Sequence, residues 1–158
     1  MAEQQLQVED TKVIVFRLKD EEYGVEVGQI KSIERMQHIT IVPNTPDFVR
    51  GVINLRGVVT PVINLRTRFE LGEEEELEST RIIIVTVDDI EVGLIVDAAH
   101  DVIDVPASAV EPPPEVIGGI EADYLRGVAK VGKRLLILLN LDRVLSPEEV
   151  ELVKQIEA

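Results

Sequence analysis

Short apolar runs, broken every few residues by polar turn-formers, dominate the pattern of this chain and read as strands. Val13–Leu18 and Tyr23–Val27 flank the polar turn Lys19–Glu22, a hairpin signature. Ile39–Val42 reads as the next strand. Gly51–Leu65 carries most of two copies of Val-Ile-Asn-Leu-Arg, Val52–Arg56 and Val62–Arg66, and predicts a second hairpin with Arg56-Gly57 at its bend. Glycine supplies φ > 0 there at little cost. Pro61 suits an edge strand or a bulge better than a central strand. Further on, Arg81–Val87 and Glu91–Val96 flank Asp88-Asp89, and Val102–Val105, Leu125–Lys130 and Arg134–Leu139 complete the set. About five short strands per half favour small closed or nearly closed barrels over an open sheet, since closure removes exposed edges. Three segments interrupt the pattern. Glu73–Glu78 is an acidic run and reads as a solvated linker. Glu111–Glu115 encloses three consecutive prolines and predicts a stiff polyproline II stretch, a rigid loop or a PxxP ligand. Ser146-Pro147-Glu148-Glu149 predicts a closing helix over 147–156. Ser146 caps it, Pro147 takes the first turn, Glu149 completes a capping box, and Leu145 staples to Val150.

The chain is built twice. Phe48-Val49-Arg50-Gly51-Val52 resembles Tyr124-Leu125-Arg126-Gly127-Val128, and Ile63-Asn64-Leu65 resembles Leu139-Asn140-Leu141, both at an offset of 76. Tyr23-Gly24-Val25-Glu26-Val27 resembles Val92-Gly93-Leu94-Ile95-Val96 at an offset of 69. Three matches in one order are what a diverged duplication leaves. The expected division is a polar N-terminus over 1–11, a first barrel over 12–72, a second over 79–145, and the helix. Residues shared by the halves read as architecture. Arg56-Gly57 becomes Gly132-Lys133 and Arg66 becomes Asp142, so the basic turn is not demanded by the fold.

Composition narrows the class. The chain has 158 residues, 45% hydrophobic but only 3% aromatic, so Val, Ile and Leu must fill the core. The net charge of −14 argues against nucleic acid, where Lys and Arg supply the affinity, and against anionic membrane surfaces. No apolar stretch reaches the roughly 18 residues that span a bilayer, and the N-terminus does not read as a signal peptide. The absence of cysteine removes disulfides, thiolate nucleophiles and zinc–thiolate sites, and suits a reducing cytoplasm.

Catalytic signals are missing. His38 and His100 lie outside any HExxH pattern, no GxSxG elbow occurs, and Gly118-Gly119 lacks the ending of a phosphate loop. Asp88-Asp89 sits where a hairpin turn favours Asp, and Asp97, Asp101 and Asp104 lack the Gly and Glu of a calcium loop. The reading is a binding module with no cofactor. Arg56 is either a solvated turn residue in a structural salt bridge or a presented group that forks onto a carboxylate or carbonyl.

Phe16 through Val25, Asn44-Thr45-Pro46, and Gly51 through Gly57 with Pro61-Val62 and Leu65-Arg66 resemble the CheW family, the coupling adaptors of bacterial chemotaxis. Val92-Gly93, Asp97, Pro112, Tyr124-Leu125 and Asn140-Leu141 fit the same pattern, so the likeness runs from about Val13 to Val153. The resemblance implies a mainly β fold of two SH3-like five-stranded barrels packed together. It implies an adaptor that is not an enzyme. It would link the cytoplasmic tip of a chemoreceptor (a methyl-accepting chemotaxis protein) to the regulatory domain of the histidine kinase CheA. The setting is cytoplasmic, at membrane-associated arrays, without membrane insertion and without nucleic acid. The receptor's helical hairpin would lie in the groove between the barrels. By position, the receptor contact falls on Ile30, Ile33, Glu34, Arg35, Asn54, Arg56 and Val58, with Ile30 and Ile33 at helical spacing as apolar anchors or core. The kinase contact falls on Val87, Ile90 and Val92. Two other readings stay open: a module of the same fold in a different sensory array, and a small-ligand-binding or hydrolytic barrel.

Overall fold

A computed structural model describes residues 11–72, 76–87, 89–112, 116–117, 120–121 and 124–157. The side chains of His100, of residues 116, 117, 120 and 121, and of 156 and 157 are not among them. Asp88, part of the acidic run, part of the proline run, Gly118-Gly119 and residues 1–10 lie outside the described chain.

The strands are β1 (Thr11–Leu18), β2 (Glu21–Glu26), β3 (Ile30–Arg35), β4 (Val49–Leu55), β5 (Val58–Asn64), β6 (Arg81–Val87), β7 (Ile90–Val96), β8 (Ala98–Val105), β9 (Val110–Glu111), β10 (Val116–Ile117), β11 (Ile120–Glu121), β12 (Leu125–Val131) and β13 (Arg134–Leu139). Two single-turn helices, α1 (Leu65–Arg68) and α2 (Leu141–Val144), precede the closing helix α3 (Pro147–Glu157). The expected hairpins are present. Ile39–Val42, expected as a strand, contributes only a bridge: Thr40 N–H donates to Val52 O, and Val52 N–H to Thr40 O, each at 2.8 Å. Ile30–Arg35, read for helical spacing, is a strand.

Five strands form one sheet in the order β3-β6-β7-β5-β4, and six form the other in the order β8-β1-β2-β13-β12-β9. Neither ladder closes fully, yet both wrap round. The chain leaving β3 bonds the far edge strand β4 through Thr40. The edges β8 and β9 are consecutive in the chain, joined through Pro106 and the tight turn Ala107–Ala109, so the chain passes directly from one edge of this sheet to the other. Strand pairing crosses the expected boundaries of 12–72 and 79–145. The contiguous barrel runs from β3 to β7. The terminal barrel joins β1 and β2 to strands from the end of the chain. Each half thus lends its first hairpin to the other's barrel, through the parallel pairs β2–β13 and β5–β7.

Alternation along the strands fills three cores. Val13, Val15, Val105, Ala129 and Leu136 fill the terminal barrel, and Ile53, Val62, Ile82, Ile84 and Ile95 the contiguous one. The largest core lies between the barrels, where Phe16, Leu18 and Tyr23 meet Ile83, Val85, Leu94 and Ile137. Strands buried on both faces explain why these runs are almost unbroken Val, Ile and Leu.

The residues shared by the halves are architectural. Asn64 and Asn140 each cap a one-turn helix, accepting from Arg66 N–H at 3.0 Å and Asp142 N–H at 3.2 Å. Gly51 and Gly127 each occupy a bulge where a β-carbon would strike a backbone carbonyl, that of Thr40 at 2.1 Å and that of Glu111 at 2.7 Å. Helix α3 starts as the sequence predicts: Glu149 N–H donates to Ser146 Oγ at 3.2 Å, and Ser146 N–H to Glu149 Oε1 at 2.7 Å. Although the preceding strand belongs to the terminal barrel, α3 packs on β5 of the contiguous one.

Candidate functional site

The bend between β4 and β5 has positive φ at both central residues, 53° at Arg56 and 87° at Gly57. That geometry matches the twist of a two-residue hairpin and suits glycine far better than arginine. Asn54 holds it closed, its Oδ1 accepting Gly57 N–H at 2.8 Å. The Arg56 side chain is 72% exposed, and one nitrogen reaches Glu34 Oε2 at 3.4 Å. Arg56 is therefore neither buried nor tightly paired. Most of its donors face outward, and the bend presents them.

Strand β3 lies across the sheet from this hairpin and carries a bulge between Ile30 and Ser32. The extra residue reverses the alternation. Ile30 and Ile33 stand opposite Val85 and Ile83, both in the core between the barrels, while Ser32 stands opposite Ile84 inside the contiguous barrel. Antiparallel partners share a face, so Ile30 and Ile33 share the inter-barrel face at a spacing that an unbulged strand would split. Ile30 packs on the core, whereas Ile33 is 42% exposed at its edge. Arg35 follows on the same face, directly opposite Arg81.

The structure thus brings the expected receptor residues together in two sets. Ile30, Ile33 and Arg35 line the inter-barrel face. Glu34, Arg56 and Val58, the last 52% exposed, lie at the barrel end beside exposed Val59. Asn54 serves the turn. The expected kinase residues do not form a surface: Val87, Ile90 and Val92 are 2%, 8% and 0% exposed. All three point into the inter-barrel core. The reading failed because a strand covered on both faces hides the residues that simple alternation would expose.

One buried cation, Arg66, and one half-buried cation, Arg68, had weaker sequence signals. Arg66 donates through Nε to Asp97 Oδ1 at 2.8 Å and through Nη2 to Oδ2. Asp97 also accepts Lys19 N–H at 2.8 Å, which ties the β1–β2 turn to the start of β8. Burial would raise the Asp97 carboxyl. The Arg66 and Lys19 hydrogen bonds, with the charges of Arg66 and Arg17, outweigh it and hold the group below its ordinary value. The exchange of Arg66 for Asp142 between the halves was the signal for this pair. Arg68 lies over the rings of Phe48 and Tyr124, at 4.7 and 5.2 Å, and donates to Val144 O at 2.7 Å and Glu149 Oε1 at 2.8 Å. It pins α1 to the start of α3.

Among the described residues no group of His, Asp or Glu is arranged to hold a metal ion, and no helix is long and apolar enough to cross a membrane. What the site offers is an exposed guanidinium, a charged pair and apolar side chains at the edge of a groove, the make-up of a protein-binding surface.

Comparison with known proteins agrees. Residues 12–149 match the family model of the CheW-like domain. The chemotaxis protein CheW of Bacillus subtilis is 47% identical over 140 residues, covering 87% of this chain and 88% of the relative. That of Klebsiella aerogenes is 36% identical over 143 residues, covering 90% and 86%. The crystal structure of the scaffolding protein TtCheW from Thermoanaerobacter tengcongensis superposes with a TM-score of 0.81 at 37% identity, covering 87% of this chain and 88% of that one. The chain belongs to the CheW-like family and is a chemotaxis coupling adaptor, a scaffold and not a catalyst.

Proposed function

We propose that this chain couples chemoreceptors to the histidine kinase CheA by binding both at once. The receptor's cytoplasmic tip, a helical hairpin, lies along the groove edge of the contiguous barrel. It meets Ile33, Glu34, Arg35, Arg56 and Val58, and Ile30 backs this surface from the core. The kinase meets the adaptor through its regulatory domain, on surface other than Val87, Ile90 and Val92. The complex works on the cytoplasmic side of membrane-associated arrays, and the receptor recruits the adaptor there.

The observation that carries this reading is the presentation of Arg56. A guanidinium held at an unfavourable backbone angle, exposed and flanked by exposed valines, contributes little to folding. Strain of that kind is kept where it positions a contact. The test is size-exclusion chromatography of the purified chain with a receptor signalling-tip fragment and the CheA regulatory domain. Co-elution of all three is expected. Elution of the chain apart from both partners would overturn the reading. Arg56→Ala should weaken receptor binding about tenfold, equivalent to roughly 1.4 kcal/mol, and leave the kinase-domain complex intact.

A further inference from the structure

We propose that Arg35 and Arg81 form a twin-guanidinium fork that takes a carboxylate from the receptor helix, with Ile33 as the adjoining apolar anchor. This inference rests on the reading that a receptor helix occupies the groove edge.

The two arginines are direct partners across β3 and β6. Cβ atoms so placed are about 4.5–5.5 Å apart, and like charges there repel. The pairing therefore costs stability unless something negative enters between them. The chain has 30 acidic residues against 16 basic ones, yet among the described residues no carboxylate forms a salt bridge with either guanidinium. Arg66, Arg68, Arg126 and Arg134 each reach a carboxylate. Arg81 instead donates through Nη1 to two carbonyls, those of Glu78 at 2.6 Å and Thr80 at 2.9 Å. The Arg35 side chain has no partner among the described residues. Glu76 and Glu78 line the same groove. Neither carboxylate reaches the Arg35 or Arg81 guanidinium among the described residues; Glu78 offers Arg81 only its backbone carbonyl.

Position gives the occupant its pattern. Beyond Arg81 the next strand contributes Val96, a residue of the inter-barrel core, so the fork opens on the groove side. Ile33 lies two residues from Arg35 on that face, about 6.8 Å along a strand. One helical turn from i to i+4 rises about 6.0 Å. A helix lying along β3 with an acidic residue and an apolar residue at that spacing meets both features together. Paired guanidiniums match a carboxylate through parallel charge-assisted bonds, which an ammonium cannot reproduce.

The experiment measures binding of the receptor signalling-tip fragment to wild-type protein and to Arg35→Gln, Arg81→Gln, the double variant and Arg35→Lys, at two salt concentrations. Each glutamine should weaken binding about tenfold and flatten its salt dependence, and Arg35→Lys should fall between. The thermal melt of Arg35→Gln should hold or rise, since a repulsion is removed, whereas Arg81→Gln also loses the bonds to the Glu78 and Thr80 carbonyls. Affinity for the CheA regulatory domain should not change. Wild-type-like receptor binding by the double variant would overturn the fork. So would equal binding of a fragment whose groove-facing Glu and Asp residues are changed to Gln. Failure of wild-type protein to bind the fragment at all would overturn the receptor reading itself, a distinct result from failure of the fork.

Discussion

Arg56 and Gly51 both take positive φ, for opposite reasons. A non-glycine residue at φ near 53° costs about 1 kcal/mol. Arg56→Gly should therefore raise the melting temperature by about 2–4 °C while weakening receptor capture, as calorimetry and a binding titration would record. Arg56→Ala should leave the melt nearly unchanged, because a side chain so exposed, with one long contact, carries little folding energy. At Gly51 the positive φ is architectural, and only glycine holds it without strain. Its φ is 143°, and a β-carbon would stand 2.1 Å from Thr40 O. Gly51→Ala should cost about 3 kcal/mol or more. Gly127→Ala should cost less, since its neighbouring carbonyl is at 2.7 Å and its φ is not left-handed. Denaturant titration of the two variants would rank them. Duplication made the architectural role of both glycines legible in the sequence. It also marked Arg56 as dispensable to the fold, because the second half has glycine there.

Asp97 is the point where three elements meet, and its charge is part of the joint. Its carboxyl is held below the ordinary value of about 3.8. A depressed acid stabilises the folded chain above its unfolded pKa, and that contribution disappears as pH falls through the folded pKa. The melting temperature should therefore drop below about pH 4 more steeply in the wild type than in Asp97→Asn, measured by calorimetry across pH 3 to 7. Asp97→Asn should also lower stability near neutrality, because Arg66 is then left buried against a neutral partner. At the helix, Ser146→Ala removes the cap and should cost about 1 kcal/mol. The hairpins and the α3 start were readable because turn residues and capping boxes act locally. Strand β3 was not. Its bulge places Ile30 and Ile33 on one face at three-residue spacing, and that spacing imitates a helix. Val87, Ile90 and Val92 were misplaced for a related reason: local pattern cannot tell an outer barrel face from a face that another barrel covers.

At the scale of the molecule, the exchange of hairpins between halves decides cooperativity. The face of the contiguous barrel that carries Ile83, Val85 and Leu94 is core only while the other barrel covers it. Fragment 1–75 lacks two strands of the five-stranded sheet and four of the six-stranded one, and fragment 76–158 lacks three and two of them. Each alone should be unfolded or aggregated, and a mixture should recover the far-ultraviolet dichroism and elution volume of the intact chain. Independent folding of either fragment would show that the exchange is not obligatory. The duplication and the strand content were legible in the sequence, but the exchange was not, since two similar hairpins satisfy the same pattern in either barrel. The exchange also sets an order of events on the ribosome. The β1–β2 hairpin leaves the exit tunnel first, yet its parallel neighbour β13 is made almost last. At about 5–20 residues per second, Phe16, Leu18 and Tyr23 wait several seconds for their barrel. In that interval the contiguous barrel takes shape, and its β6 and β7 surface gives the waiting hairpin an apolar wall to rest on. A nascent chain of this kind should hold trigger-type chaperones longest over its first thirty residues, the part that a linear reading would expect to fold soonest.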